Sequence, residues 1–296
     1  MSHDVVIGFD GTAGAEDALI LGSWIAAAAR RPLLVVSVYQ EDVMPVLPGI
    51  GSEWDHEMQA EARQQLERAR RLLGDGTGAQ FRTVGSTSAA RVLDAVATQA
   101  DASAIVVGST RRGALRRVSS SHTADRLLQG AQCPVLIAPR GVRDRDLAPL
   151  TDVGCAYLPT PEGTLALRQA AALVYLSGAR LKVYTVPDQR AGRSSETTPK
   201  DRARAHGKHL FDSATAAVEK LPGHPQVSVH VLEGNVVQAL SALEEEDCQV
   251  LVCGSRGYGP VGRVLLGGVS SRLVRSAATP ILLVPRGMKE SDWPTV

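Results

Sequence analysis

The chain repeats itself at the scale of a whole domain. From Val106 it reads VVGSTRRGALRRVSSSHTADRLLQGAQCPVLIAPRG, and from Val252 it reads VCGSRGYGPVGRVLLGGVSSRLVRSAATPILLVPRG. Gly108 then corresponds to Gly254 and Pro134 to Pro280, both at a spacing of 146 residues and without a gap. The starts of the copies correspond too. Asp4 to Phe9 match Asp152 to Tyr157, and Ala18-Leu19 match Ala166-Leu167, at a spacing of 148. A period of 20–50 residues would indicate a solenoid or propeller, but this one has the length of a domain. Two copies of one fold are therefore expected, spanning 1–145 and 151–296, with the boundary in the charged stretch Arg143 to Leu150.

Each copy is long enough to bury its own core. The net charge of +1 over 296 residues argues against a nucleic-acid partner or a charged membrane surface. Cys133, Cys155, Cys248 and Cys253 form no CxxC pair and no metal-ligand spacing, so they read as small core residues in a reducing compartment. With no apolar leader at Met1 and no run of membrane-spanning length, a soluble, cytoplasmic protein is expected.

Short apolar runs alternate with helical patterns. In the first copy, strands are expected at Val5 to Phe9, Leu33 to Tyr39, Phe81 to Val84, Ala104 to Val107 and Val135 to Ala138. Helices are expected at Ala15 to Arg30, Met58 to Leu73, Ala89 to Gln99 and Thr123 to Gln129. The second copy repeats this order, with Ala203, Gly207, Leu210, Ala214, Ala217 and Leu221 at helical spacing in its second helix. Strands that are apolar on both faces and alternate with helices give an α/β fold, a parallel sheet covered on both sides. Such sheets take ligands beyond the carboxyl ends of their strands, where Asp10 and Gly108 both fall.

One segment has a chemical signature. Gly254-Ser255-Arg256-Gly257 is followed, after nine intervening residues, by Gly267-Gly268-Val269-Ser270, between the end of a strand and the start of a helix near Ser270. Glycines there let backbone N–H groups approach an anion, and a helix start favours negative charge. With this G-x-x-G, nine-residue, G-[S/T] pattern the chain resembles the universal stress protein (UspA) family. The resemblance covers both halves. It implies a tandem member with two five-stranded parallel sheets of strand order 3-2-1-4-5, helices on both faces. It also implies a binder of ATP with magnesium that regulates through nucleotide-dependent interaction rather than as a dedicated enzyme. In the ATP-binding branch an Asp after the first strand meets adenine, a residue ending the second strand lines the adenine pocket, and the glycine segment holds ribose and phosphates.

Carried over residue by residue, neither copy is complete. The first has Asp10 and Thr12, with Val38 at the adenine end and Gly108-Ser109 opening the glycine segment. Arg111 replaces its second glycine, and Ser121-His122 replaces the closing pair. The second has Val186, Gly254, Ser255, Arg256, Gly257, Gly267, Gly268, Val269 and Ser270, but Leu158-Pro159-Thr160 stands where the first copy has Asp10-Gly11-Thr12. Losing a hydrogen bond to a charged group costs roughly 1.5–3 kcal/mol, which handicaps the second copy. In the first, Arg111, Arg112, Arg116 and Arg117 are candidates to hold phosphate in place of the lost glycine. This favours adenine in the first copy and phosphate in the second.

Plainer accounts stand beside these. The glycine segment also fits a tight strand-to-helix connection, Asp10 fits a turn or helix cap, the arginines fit a solvated face, and His122 a surface histidine. Gly257 to Gly262 spells GxGxxG but follows a fourth strand rather than opening the first crossover, and no GxxxxGK[ST] occurs. No His–acid pair stands beside the loops, so binding is favoured over catalysis, with slow ATP hydrolysis and a nucleotide-free interaction module as the other readings. The resemblance further implies that the apolar fifth strands, Pro134 to Ala138 and Pro280 to Val284, meet so that one chain imitates the family's dimer. A homodimer of whole chains is a further expectation.

Overall fold

Each half builds the same alternation of strand and helix. The computed structural model describes residues 3–41, 50–109, 122–187, 199–255 and 268–285. The first unit contains β1 (Val5–Gly8), α1 (Ala13–Ala29), β2 (Leu33–Tyr39), α2 (Ile50–Leu73) and β3 (Gln80–Gly85). It continues through α3 (Ala89–Gln99), β4 (Ala104–Gly108), α4 (His122–Leu128) and β5 (Val135–Ala138). The second contains β6 (Asp152–Ala156), α5 (Pro161–Ser177), β7 (Arg180–Thr185), α6 (Pro199–Val218) and β8 (Val227–Val231). Then follow α7 (Val236–Ser241), β9 (Val250–Gly254), α8 (Gly268–Ser276) and β10 (Ile281–Val284).

The strands run β3-β2-β1-β4-β5 in the first unit and β8-β7-β6-β9-β10 in the second, the order 3-2-1-4-5 in each. Neighbouring strands within each unit are parallel. The apolar runs account for this placement. Val6, Ile7, Val35, Val36, Ile105 and Val106 are wholly buried at the centre of the first unit, as Val153, Leu181, Val183 and Val250 to Val252 are in the second. Each such side chain contributes about 1.5–3 kcal/mol over leaving it in water. The outer strands β3 and β8 alternate instead between partly and fully exposed residues along much of their length.

Elements extend slightly beyond the expected bounds. Helix α2 begins at Ile50, ahead of the periodic stretch that starts at Met58, and α8 begins at Gly268 rather than Ser270. Both first helices start from a threonine cap, Thr12 Oγ1 accepting from Ala15 N at 3.2 Å and Thr160 Oγ1 from Gly163 N at 3.1 Å.

The charged stretch after β5 is more structured than its composition implies. The units divide between Ala148 and Pro149. Residues 142–144 form a 3-10 turn that folds back along α1. There Asp17, 1% exposed, accepts hydrogen bonds from Gly141 N at 3.1 Å and Arg143 N at 3.0 Å, while Arg143 Nη1 donates to Ala13 O at 2.9 Å. Further along, Trp24 Nε1 donates to Ala148 O at 2.8 Å. On the other side of the division, Gln249 Nε2 donates to Pro149 O at 3.0 Å. At the start of β6, Asp152 pairs with Arg180 at 2.7 Å and Lys182 at 3.3 Å.

Candidate functional site

At the carboxyl ends of β1, β2 and β4, the first unit opens into a cleft of about 600 Å³. Its apolar wall comes from Phe9, Val36, Val38, Leu93 and Val107, and its polar rim from Asp10, Thr12, Ser109 and Thr123. The strand order places these residues together. The chain leaves β1 toward one neighbour and β4 toward the other, and the crevice lies between the two loops. The first turn of α1 forms one side through Gly14 and Ala15, so the positive end of that helix faces the cleft.

Two polar groups differ in their availability. Asp10 is exposed, and its Oδ1 accepts from Thr12 N at 3.1 Å and Thr12 Oγ1 at 2.6 Å. One carboxylate oxygen therefore holds the turn, which is the cap-and-turn role open to this residue from sequence. Ser109 is 7% exposed, and its hydroxyl has no hydrogen-bond partner among the described residues although it borders the cleft. Leaving a buried hydroxyl unmatched costs about 1–3 kcal/mol, so a group that can bond to something entering the cleft stands ready there. Ser255, its counterpart after β9, is 3% exposed and likewise lacks a partner for its hydroxyl among the described residues.

The first glycine of the segment has a packing reason of its own. A Cβ on Gly108 would run into the carbonyl of Gly14 in α1. A Cβ on Gly254 would lie 2.7 Å from the carbonyl of Glu162, the equivalent position in α5. In both units the fourth strand ends against the backbone of the first helix, and only glycine fits. Ser270, expected among the ligand contacts, donates its hydroxyl to Gly254 O at 3.1 Å and ties α8 to the end of β9. Gly268 and Val269 are exposed at the start of α8, and Val186 is buried just beyond β7.

The structure thus brings Asp10, Thr12, Val38, Gly108 and Ser109 into one cleft. Arg256, Gly257 and Gly267 lie outside the described residues, as do Arg111, Arg112, Arg116, Arg117 and Ser121 and the whole GxGxxG run. Sequence reasoning passed over Gly14, Ala89 and Leu93, which also line the cleft. For Gly14 a signal was available, because two glycines 94 residues apart, at a strand end and a helix start, fit close backbone contact.

Burial dominates the shifts of several titratable groups among the described residues. Burial raises Asp17 against the lowering effect of its hydrogen bonds to Arg143 and Gly141. Burial also pushes the Cys133, Cys248 and Cys253 thiols up to about 12, and Cys155 well above its usual value. Among the described residues no group of three or more His, Cys, Asp or Glu side chains is placed to hold a metal ion, and no helix is long and apolar enough to cross a membrane.

Comparison with known proteins agrees with this architecture. The model of the universal stress protein family matches residues 1–139 and again residues 151–285. The universal stress protein Rv2319c of Mycobacterium tuberculosis is 28% identical over 298 residues, covering 95% of this chain and 99% of its own. A Thermus aquaticus universal stress protein is 32% identical over 134 residues, covering 44% of this chain and 94% of its own. The crystal structure of a universal stress protein from Archaeoglobus fulgidus covers 97% of this chain and 100% of its own, with a TM-score of 0.68 and 18% identity, a likeness of fold.

Proposed function

The chain belongs to the universal stress protein family, and from that premise we propose that it binds an adenine nucleotide, ATP with magnesium, in the cleft of its first unit. It acts as a regulatory protein whose interactions depend on the nucleotide rather than as a dedicated catalyst. The observation that carries this reading is the cleft itself. Its volume of about 600 Å³ lies within the roughly 300–1,000 Å³ of small-molecule sites. It joins an apolar wall suited to a base with a buried, unpartnered Ser109 hydroxyl and a helix start suited to an anion. Val36 and Val38 would flank the base, the second oxygen of Asp10 would meet its amino group, and Ser109 would bond to ribose or phosphate. Magnesium would arrive with the phosphates. In the second unit, Gly254 to Ser270 is the corresponding candidate segment for phosphate.

Thermal unfolding tests the proposal. ATP with magnesium at about 100 times its Kd stabilises a one-site protein by about 2.7 kcal/mol, so the melting temperature of the intact chain should rise by several degrees. If millimolar ATP leaves it unchanged, the nucleotide reading is wrong. The other reading, an interaction module that holds no nucleotide, draws on the engagement of Asp10 Oδ1 by Thr12 and on the packing role of Gly108. Slow ATP hydrolysis would be seen as phosphate release that disappears in Asp10→Ala.

The family resemblance also leads us to propose pairing of the two halves through their fifth strands, a homodimer of chains, and a cytoplasmic location. Single cysteines placed on β5 and β10 of a cysteine-free variant should crosslink within one chain if the fifth strands pair.

A further inference from the structure

The cleft of the first unit is braced from behind by a side chain that does not line it. Val36 and Val38 border the cleft, so Ser37 between them points to the opposite side of the sheet. There Ser37 is wholly buried, and its hydroxyl donates to Gln65 Oε1 of α2 at 2.9 Å. The same glutamine lies against the turn after β1, since a Cβ on Gly11 would sit 3.3 Å from Gln65 Cγ. Gly11 has a φ of +72°, in the left-handed region that glycine enters freely. It joins Asp10 to Thr12, whose hydrogen bonds shape the rim of the cleft. One half-buried side chain thus meets both the end of β2 and the turn after β1.

The second unit lacks this brace. At the spacing of 148 residues, Ser37 corresponds to Thr185, Gln65 to Ser213 and Gly11 to Pro159. Thr185 is wholly buried as well, but its hydroxyl has no hydrogen-bond partner among the described residues. The glutamine, the turn glycine and the Asp10 carboxylate occur together in the first unit and are replaced together in the second.

We propose that Gln65 is a positioning residue for the first unit's cleft. It holds the Asp10-Gly11-Thr12 turn in the geometry that leaves the second Asp10 oxygen turned to the base. The hydrogen bonds to Thr12 fix one side of the turn, and Gln65 supports the other. Without that support the glycine, the least restricted residue of the turn, spreads over several conformations. The apparent Kd then rises by the inverse of the fraction that stays competent. This proposal rests on the nucleotide reading of the first cleft and adds the residue behind the cleft that sets its affinity.

Gln65→Ala in the intact chain tests it. Alanine is the better helix former at this half-buried position, so α2 keeps its structure. Calorimetry with ATP and magnesium should show binding about tenfold weaker than in the natural chain, the result if about a tenth of the molecules keep the competent turn. Gln64→Ala, at the exposed neighbouring position, should bind as the natural chain does. A second measurement needs no ligand. By NMR relaxation, the backbone order parameters of Gly11 and Thr12 should fall from about 0.85 toward about 0.6 in Gln65→Ala. If Gln65→Ala binds ATP as tightly as the natural chain, if Gln64→Ala loses as much affinity, or if the order parameters of the turn stay unchanged, the positioning role is overturned and the nucleotide reading stands. If the natural chain binds no ATP, the nucleotide reading falls and the positioning role falls with it.

Discussion

Ser109 separates structure from function at a single atom. Its hydroxyl is buried at the cleft without a partner among the described residues, so it contributes nothing favourable to the ligand-free fold. Ser109→Ala should leave the melting temperature of the ligand-free chain unchanged or slightly higher. It should weaken ATP binding by about tenfold if that hydroxyl bonds to a phosphate or ribose, since such a bond is worth about 1–2 kcal/mol; calorimetry checks both. Asp10→Ala should behave differently, because Asp10 also holds Thr12. Losing that turn should cost about 1 kcal/mol of stability in the absence of ligand, read by urea unfolding, on top of any loss in affinity. At this scale the sequence was informative about residue type and less so about role. Asp10, Thr12 and Val38 were legible because a strand-end position and a polar residue before a helix are local signals. The packing duty of Gly108 and the structural hydrogen bond of Ser270 depend on partners far along the chain, Gly14 and Gly254, that no local pattern names.

Elements carry the electrostatic design. The first turn of α1 serves both the cleft and the junction segment, because Ala13 and Asp17 hold Arg143 and Gly141 while Gly14 and Ala15 line the cleft. Asp17→Ala would leave the half-buried N–H groups of Gly141 and Arg143 without their acceptor and take one carboxylate from the Arg143 guanidinium, which keeps Ala13 O and Glu16. It should destabilise the first unit by about 2–4 kcal/mol, measurable by urea unfolding followed through Trp24. Two of the buried acids, Asp17 and Asp152, are shifted in opposite senses. Burial raises Asp17, so its ionised form is the costly one, and that cost is relieved as pH falls through its folded value. Burial would also raise Asp152, but Arg180, Thr151 and Lys182 together hold it below the usual 3.8. Its contribution is therefore complete above about pH 3.8 and is lost as pH falls through the lower folded value. Asp152→Asn should melt below the natural chain at neutral pH, and the gap should close in increasingly acidic buffer; a scan of melting temperature against pH checks this. The strand and helix sequence at this scale was largely readable from periodicity. The turn at residues 142–144 was not, because its charged composition looks like a linker and its partner Asp17 lies more than a hundred residues away.

For the molecule as a whole, the duplication was the most legible fact, since two long matching stretches at a constant spacing survive substitution on the surface. The four thiols belong to this scale, Cys155, Cys248 and Cys253 being buried and Cys133 half-buried. With Cys133, Cys248 and Cys253 raised to about 12 and Cys155 raised well above its usual value, a thiol reagent at pH 8 should find almost no reactive group in the folded chain and four in denaturant; Ellman titration checks this. Less legible was the different turn after the first strand of each half, where Thr160 N meets the Leu158 carbonyl and Thr12 N meets the Asp10 side chain. The seat of Gly108 and Gly254 against the first helix of each unit has a wider consequence. Any descendant of this fold that gave up its cargo would still be obliged to keep that glycine, or the helix could not lie down on the strand. Its presence in a sequence therefore certifies assembly and is silent on occupancy.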